Sequence, residues 1–83
     1  MFRVYGKPDC IYCTNAQKHI MKNFPNEEID YIDISVVSAA KDFLVKQGFK
    51  RVPQIYHVLP NSTEDIYIGG FDDLERYTKD FYK

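Results

Sequence analysis

The chain has few cysteines, no long apolar run and almost no net charge, and each shortage excludes something. A formal charge of −1 argues against nucleic acid as a main partner, because proteins that neutralise phosphates carry a clear basic excess. No apolar stretch approaches the ~20 residues that a membrane-spanning helix needs, so no membrane contact is expected. The opening MFRVYGK patterns as a strand, not as a signal peptide, which points to a cytoplasmic location. Two cysteines are too few for the disulfide framework of a secreted domain, and cytosolic disulfides tend to be transient and catalytic. Asn61-Ser62-Thr63 has the spacing of a glycosylation acceptor, but without a signal peptide it reads as a turn. No repeat, low-complexity tract or linker interrupts the chain, so residues 1–83 are expected to form one domain.

A domain this short hides only ~60–65 % of its unfolded surface, so its core must be thin. Seven tyrosines and six phenylalanines supply large apolar area for it. Residues 2–5, FRVY, form a short first strand broken by Gly6. From Cys10, the apolar positions Tyr12, Cys13, Ala16, Ile20 and Phe24 recur at three- and four-residue spacing, which predicts a helical face. Asp9 can cap that helix and Pro25 stops it. EIDYIDI, residues 28–34, alternates as a second strand. A second helix is expected from Ser35 or Ser38, carrying Val37, Ala40, Phe43 and Leu44, with a cap at Gly48. PQIYHVL and DIYI, residues 53–59 and 65–68, are strands of a hairpin turned by PNSTE. FDDLERYTKDFYK follows as a third helix, with Asp72 and Glu75 spaced as a capping box. The order β-α-β-α-β-β-α predicts an α/β fold, a four-stranded mixed sheet flanked by three helices.

Cys10 and Cys13 lie three apart at the start of the first helix, and three chemistries compete for them. A zinc site needs about four ligands at tetrahedral spacing, and beyond the cysteines only His19 and His57 are available. His19 lies in the same predicted helix, so no metal is expected. A structural staple is no better, because a disulfide closing so short a loop removes little chain entropy. A redox pair uses the whole stretch. The thiolate is the nucleophile, and an ordinary cysteine with a pKa near ~8.5 is mostly protonated at neutral pH. Cys10 would sit at the helix start, where unpaired N–H groups and the helix dipole favour negative charge, with Lys7 adding a cation. Cys13, one turn inward on the apolar face, would be more buried. Cys10 is therefore the expected attacking thiol and Cys13 the resolving one.

Two further stretches carry possible chemistry. In RVPQIY, residues 51–56, Pro53 is either a strand-start proline or the second residue of a cis Val52-Pro53 bond that turns the Val52 N–H and C=O towards the cysteines. Lys50 and Arg51 place cations beside it. In IGGFDDL, residues 68–74, two glycines precede a helix start whose N–H groups can take a carboxylate. Asp72 and Asp73 can accept a ligand ammonium, and Asp72 can equally serve as a plain N-cap. A zwitterionic peptide suits that set.

KPDCIYC, RVPQIY and IGGFDDL together resemble three segments of the glutaredoxin family, Lys-Pro-x-Cys-Pro-Tyr-Cys, Thr-Val-Pro-Gln-Ile-Phe and Ile-Gly-Gly-x-x-Asp-Leu. The order matches and the correspondence spans essentially the whole chain. The short length, the MFRVYG opening and the non-proline Ile11 look most like the small bacteriophage glutaredoxins. The resemblance implies a thioredoxin-like fold, glutathione as co-substrate and no metal. It implies Cys10 as nucleophile and Cys13 as second redox thiol. It places Lys7 and Tyr12 beside bound glutathione, the Val52 backbone against its cysteinyl part, Pro53 as the cis proline, and Gly70, Phe71, Asp72 and Asp73 around its γ-glutamyl end.

Family members reduce protein disulfides and glutathione mixed disulfides, and some donate electrons to ribonucleotide reductase. Ile11 departs from the family proline. Arg51 replaces a threonine, where its charge would either strengthen contact with a glutathione carboxylate or favour a different partner. The stretch between Tyr56 and Ile68 is longer than the family's tight hairpin, which marks residues 57–67 as a candidate docking loop. Two alternatives stay open. One is a thioredoxin-like donor recharged by a flavoprotein such as thioredoxin reductase. The other is an iron–sulfur-binding or adaptor module, although that branch carries Gly-Phe-Ser after a single cysteine where this chain has Cys13.

Overall fold

A computed structural model describes all 83 residues. Its elements are β1 (Phe2–Gly6), α1 (Ile11–Asn23), β2 (Ile29–Asp33), α2 (Ser38–Lys46), β3 (Gln54–His57), β4 (Ile66–Gly69) and α3 (Phe71–Phe81). They build a thioredoxin-like fold on one sheet of order β2-β1-β3-β4. The β1–β2 pair is parallel, as a strand–helix–strand crossover requires, and the other two pairs are antiparallel.

Strand alternation divides the sheet into two faces. Phe2 and Val4 of β1 stand opposite His57 and Ile55 of β3, and all four point to one face. Ala16, Ile20 and Phe24 from α1 and Leu74 from α3 close over that face, forming the main apolar core. Burying each large apolar side chain there contributes roughly 1.5–3 kcal/mol. The second face is covered more thinly. Only Ala40 and Leu44 of α2 are buried, and Phe43 stacks on Tyr5 with centroids 5.6 Å apart.

Several terminal signals act one step away from where the sequence points. The N-cap of α1 is Cys10, not Asp9, and its sulfur accepts the Cys13 N–H at 3.2 Å. Helix α2 starts at Ser38, with Val37 as its cap residue and no side chain bonded there. Its other end closes as expected. Gly48, at φ +82°, bonds its N–H to Val45, and the Phe49 N–H reaches Leu44, which satisfies two terminal carbonyls. Of the helical face read along α1, Tyr12 is the exception, pointing outward at 58 % exposure. In α3, Gly70 is the N-cap and Asp73, not Glu75, returns the carboxylate bond, accepting the Gly70 N–H at 3.0 Å.

Three polar side chains are buried, Gln54, His57 and Thr78, and His57 lies deepest. His57 is buried, stacked on Phe2, with its ring nitrogens 2.7 Å from the Tyr77 hydroxyl and 3.1 Å from Glu27. The Met1 ammonium donates to the same Glu27 oxygen at 2.5 Å. That bond holds the Glu27 carboxyl below its ordinary range; burial pushes the other way, and His57 lowers it further. A carboxyl depressed on folding contributes stability that is complete above its unfolded value, near ~4.3, and is lost as pH falls through its folded value. Glu27→Gln is therefore expected to lower the urea midpoint at pH 7 and to flatten its decline between roughly pH 5 and pH 3. Glu27 is partly exposed, so the effect is modest. Identical acid slopes for both proteins would contradict the assignment.

Candidate active site

Strand β1 runs towards the cysteines and ends at Gly6, and the turn of residues 7–10 delivers the chain into α1. Cys10 and Cys13 are joined by a disulfide, with their Cα atoms 5.2 Å apart. Their environments differ. Cys13 is fully buried over the core, whereas Cys10 is partly exposed. The Cys10 sulfur also lies 3.8 Å from the Val52 carbonyl oxygen. The Val52–Pro53 bond is cis. Neither the N–H nor the C=O of Val52 has a backbone hydrogen-bond partner, so both are free to pair with an extended ligand.

Two grooves meet at Tyr12, Arg51 and Val52, and Cys10 lines the larger of them. The smaller, of about 330 Å³, is lined by Tyr12, Arg51, Val52, Pro53, Gly70, Phe71, Asp72 and Asp73, together with Gln54 and Tyr67. Eight of the candidate positions read from the sequence thus converge on one concave surface. The first N–H groups of α3 have no partner inside the helix and face this end of the molecule by construction. The two acids are not equivalent. Asp73 is already engaged by the Gly70 N–H and by Arg76 at 3.1 Å, while Asp72 has no internal partner. Asp72 is therefore the freer carboxylate for a ligand cation. Tyr67 donates its hydroxyl to Gln54 at 2.6 Å. Burial first, and the Asp73 charge second, raise the Tyr67 pKa, which keeps it a donor at neutral pH.

The larger groove, of about 740 Å³, lies on the α2 side. Its apolar floor comes from Ile11, Ile34, Leu44, Val45 and Phe49, and Lys7, Lys41, Lys50 and Arg51 stand along it with Asp9 as the one acid. Cys10, Tyr12, Arg51 and Val52 connect it to the disulfide region. Lys7 lines this groove and not the smaller one, so the structure separates it from Gly70–Asp73.

Sequence patterns missed Gln54, Tyr67 and most of the α2 groove. Tyr67 was within reach, since alternation along β4 sets it on the face opposite Ile66 and Ile68. The α2 groove has no local signal, because four separate stretches build it, residues 7–12, Ile34, α2 and residues 48–52. The long β3–β4 connection proves remote. β3 starts beside Tyr5 and ends opposite Phe2, so the loop leaves the sheet at the end away from the cysteines. No cluster of three or more His, Cys, Asp or Glu side chains is placed to hold a metal ion. His19 is instead 2.8 Å from the Thr78 hydroxyl, and His57 belongs to the core network. No helix is long and apolar enough to cross a membrane.

The family model described as Glutaredoxin matches residues 3–58. No curated protein matches the chain significantly. Among solved structures, the glutaredoxin-like NrdH-redoxin from Escherichia coli is 21 % identical with a TM-score of 0.68, over 90 % of this chain and 91 % of that one. A glutaredoxin from Brucella melitensis is 24 % identical with a TM-score of 0.66, covering 95 % and 78 %. A buckwheat glutaredoxin–glutathione complex is 20 % identical with a TM-score of 0.70, covering 96 % and 69 %. At these identities the structural likeness establishes the fold alone.

Proposed function

The chain belongs to the glutaredoxin family, and from that premise we propose that it is a glutathione-dependent dithiol–disulfide oxidoreductase. The observation that carries the proposal is the unequal Cys10–Cys13 pair, with one sulfur partly exposed at the edge of the larger groove and the other buried beneath it. In the reduced protein the Cys10 thiolate attacks a substrate disulfide. One substrate sulfur leaves as a thiolate, which takes up a proton, and the other joins Cys10 in a mixed disulfide. The Cys13 thiolate then attacks the Cys10 sulfur, releases the second substrate thiol and closes the internal disulfide. Two electrons have passed to the substrate. Two glutathiones reverse the change and leave as glutathione disulfide.

The helix start favours this order. Cys10 as N-cap accepts a backbone N–H, which stabilises its thiolate, and the α1 dipole acts in the same sense. Glutathione would lie in the smaller groove, its cysteinyl backbone on Val52 and its γ-glutamyl end at Gly70–Asp73, with Asp72 taking the ammonium. Protein substrates, ribonucleotide reductase among them, and work in the cytoplasm of a cell or of a phage-infected host complete the proposal.

A second reductant is favoured by one observation. The glutaredoxin-like NrdH-redoxin, whose structure this chain matches over 91 % of its length, is described as having a thioredoxin-like activity profile. A flavoprotein reductase would not need the γ-glutamyl subsite. The two are separated by following NADPH consumption during reduction of a small mixed disulfide, once with glutathione and its reductase and once with thioredoxin reductase. Turnover with glutathione as sole reductant is the expected result. Turnover only with thioredoxin reductase would replace glutathione as the electron source, and none with either would end the oxidoreductase assignment.

A further inference from the structure

The smaller groove takes the γ-glutamyl end of a tripeptide, and the resemblance sets the rest of it by Lys7, Tyr12 and Val52, which leaves the α2-side wall of the larger groove, Lys41, Leu44, Val45 and Phe49, without an occupant. Resting on the oxidoreductase proposal, we propose that this groove docks the disulfide-bearing segment of a protein substrate, and that the segment is apolar with carboxylates beside its cysteine. Shape and charge together select that partner. Four cations, Lys7, Lys41, Lys50 and Arg51, stand along the walls against the single acid Asp9, in a chain whose overall charge is −1. The positive charge is thus a local concentration and not a property of the whole surface. Between the cations the floor is apolar, and two of its residues, Ile11 and Val45, are 68 % and 65 % exposed. Large apolar side chains left this open mark an interaction surface when they adjoin one another.

The groove also ends at the right atom. Cys10 lines it, whereas Cys13 does not, so a segment lying along α2 presents its own sulfur to the attacking thiol. Val52 borders both grooves, so its free N–H and C=O can pair with a protein segment during reduction and with glutathione during recharging. The grooves share only Tyr12, Arg51 and Val52, so the α2 wall stays clear of the γ-glutamyl end. Acidic character in the segment would raise its association rate through the local field, an effect that salt screens.

Three peptides of equal length test this, sharing one apolar sequence and an internal disulfide, with flanking residues all Asp, all Ser or all Lys. The prereduced protein is mixed with each in single-turnover assays. The Asp peptide is expected to react about tenfold faster than the Lys peptide at low salt, with the difference shrinking as salt rises. Lys41→Glu and Val45→Glu, both exposed on α2, should remove most of that preference while leaving reduction of a small uncharged disulfide unchanged. Equal rates for the three peptides, or a preference that survives both substitutions, would overturn the proposal. Binding is measured separately from chemistry with a Cys-to-Ser version of the Asp peptide, by amide shifts in a nitrogen-15-labelled sample. Shifts at residues 41–51 support docking on this side, and shifts confined to residues 70–73, or none, refute it. A chain that binds this peptide yet reduces no small disulfide would refute the oxidoreductase proposal alone.

Discussion

Replacing Cys10 by serine is expected to abolish disulfide reduction, with a loss on the order of 10⁴-fold or more, because the attacking atom is gone. Cys13→Ser should behave differently. Attack by Cys10 and release of the first thiol need no second cysteine, so glutathione mixed disulfides would still turn over, the serine variant being discharged by free glutathione. Reduction of protein disulfides that depend on internal resolution should fall steeply, and mixed disulfides with the protein should accumulate on non-reducing gels. The contrast follows from burial, since a fully buried sulfur cannot take over the attacking role. Comparable activity in Cys10→Ser and the parent would remove the basis of the mechanism, and equal losses in both variants would remove the division of labour.

Gly69→Ala carries the largest structural effect. Gly69 has φ +121°, a backbone conformation that side-chain-bearing residues rarely adopt, and an added Cβ would collide with the Asp73 carboxylate. That carboxylate bonds the Gly70 N–H and sets the first turn of α3, so the substitution strains the backbone and displaces the cap together. The combined cost is about 2–4 kcal/mol, or a fall in Tm of roughly 10–20 °C for a chain of this size. Gly48→Ala is the control. Its φ is also positive, at +82°, but nothing lies within 4 Å of the added Cβ, so only the backbone strain of about 1–2 kcal/mol remains. Calorimetry should rank the variants with Gly69→Ala well below Gly48→Ala. The reverse ranking would show that Asp73 has no such role. The Gly69 variant, if folded at 25 °C, should also bind glutathione more weakly, because the same turn shapes the smaller groove.

The sequence was most informative where periodicity is long and least where one residue decides. Alternation in FRVY and EIDYIDI, and the spacing of Ala16, Ile20 and Phe24, placed the strands and the core face of α1 in agreement with the observed packing. The helix ends were harder. Asp9 and Cys10 are both able to accept a bond at the start of α1, and only the turn through residues 7–10 gives that position to the sulfur. Asp73 displaced Glu75 in α3 because the helix begins two residues earlier than a cap at Asp72 would imply. Tyr12 follows the apolar spacing yet points outward to the groove, with the Phe71 ring of α3 beside it at 6.3 Å between centroids. The smaller groove was legible because each of its three segments carries its own local pattern. The larger one was not, because α2 and residues 48–52 owe their juxtaposition to the tertiary fold.

Gly6 has a bearing on how the redox pair moves. A Cβ at that position would meet the Tyr31 hydroxyl and, at 3.0 Å, the Cys13 sulfur, so glycine is what lets the buried sulfur settle against the end of β1. Packed on that anvil, Cys13 has nowhere to retreat when the two sulfurs part. In the proposed exchange, the travel between the closed and open pair then falls to Cys10 and the exposed turn of residues 7–9 before it, a swing of one arm against a fixed stop.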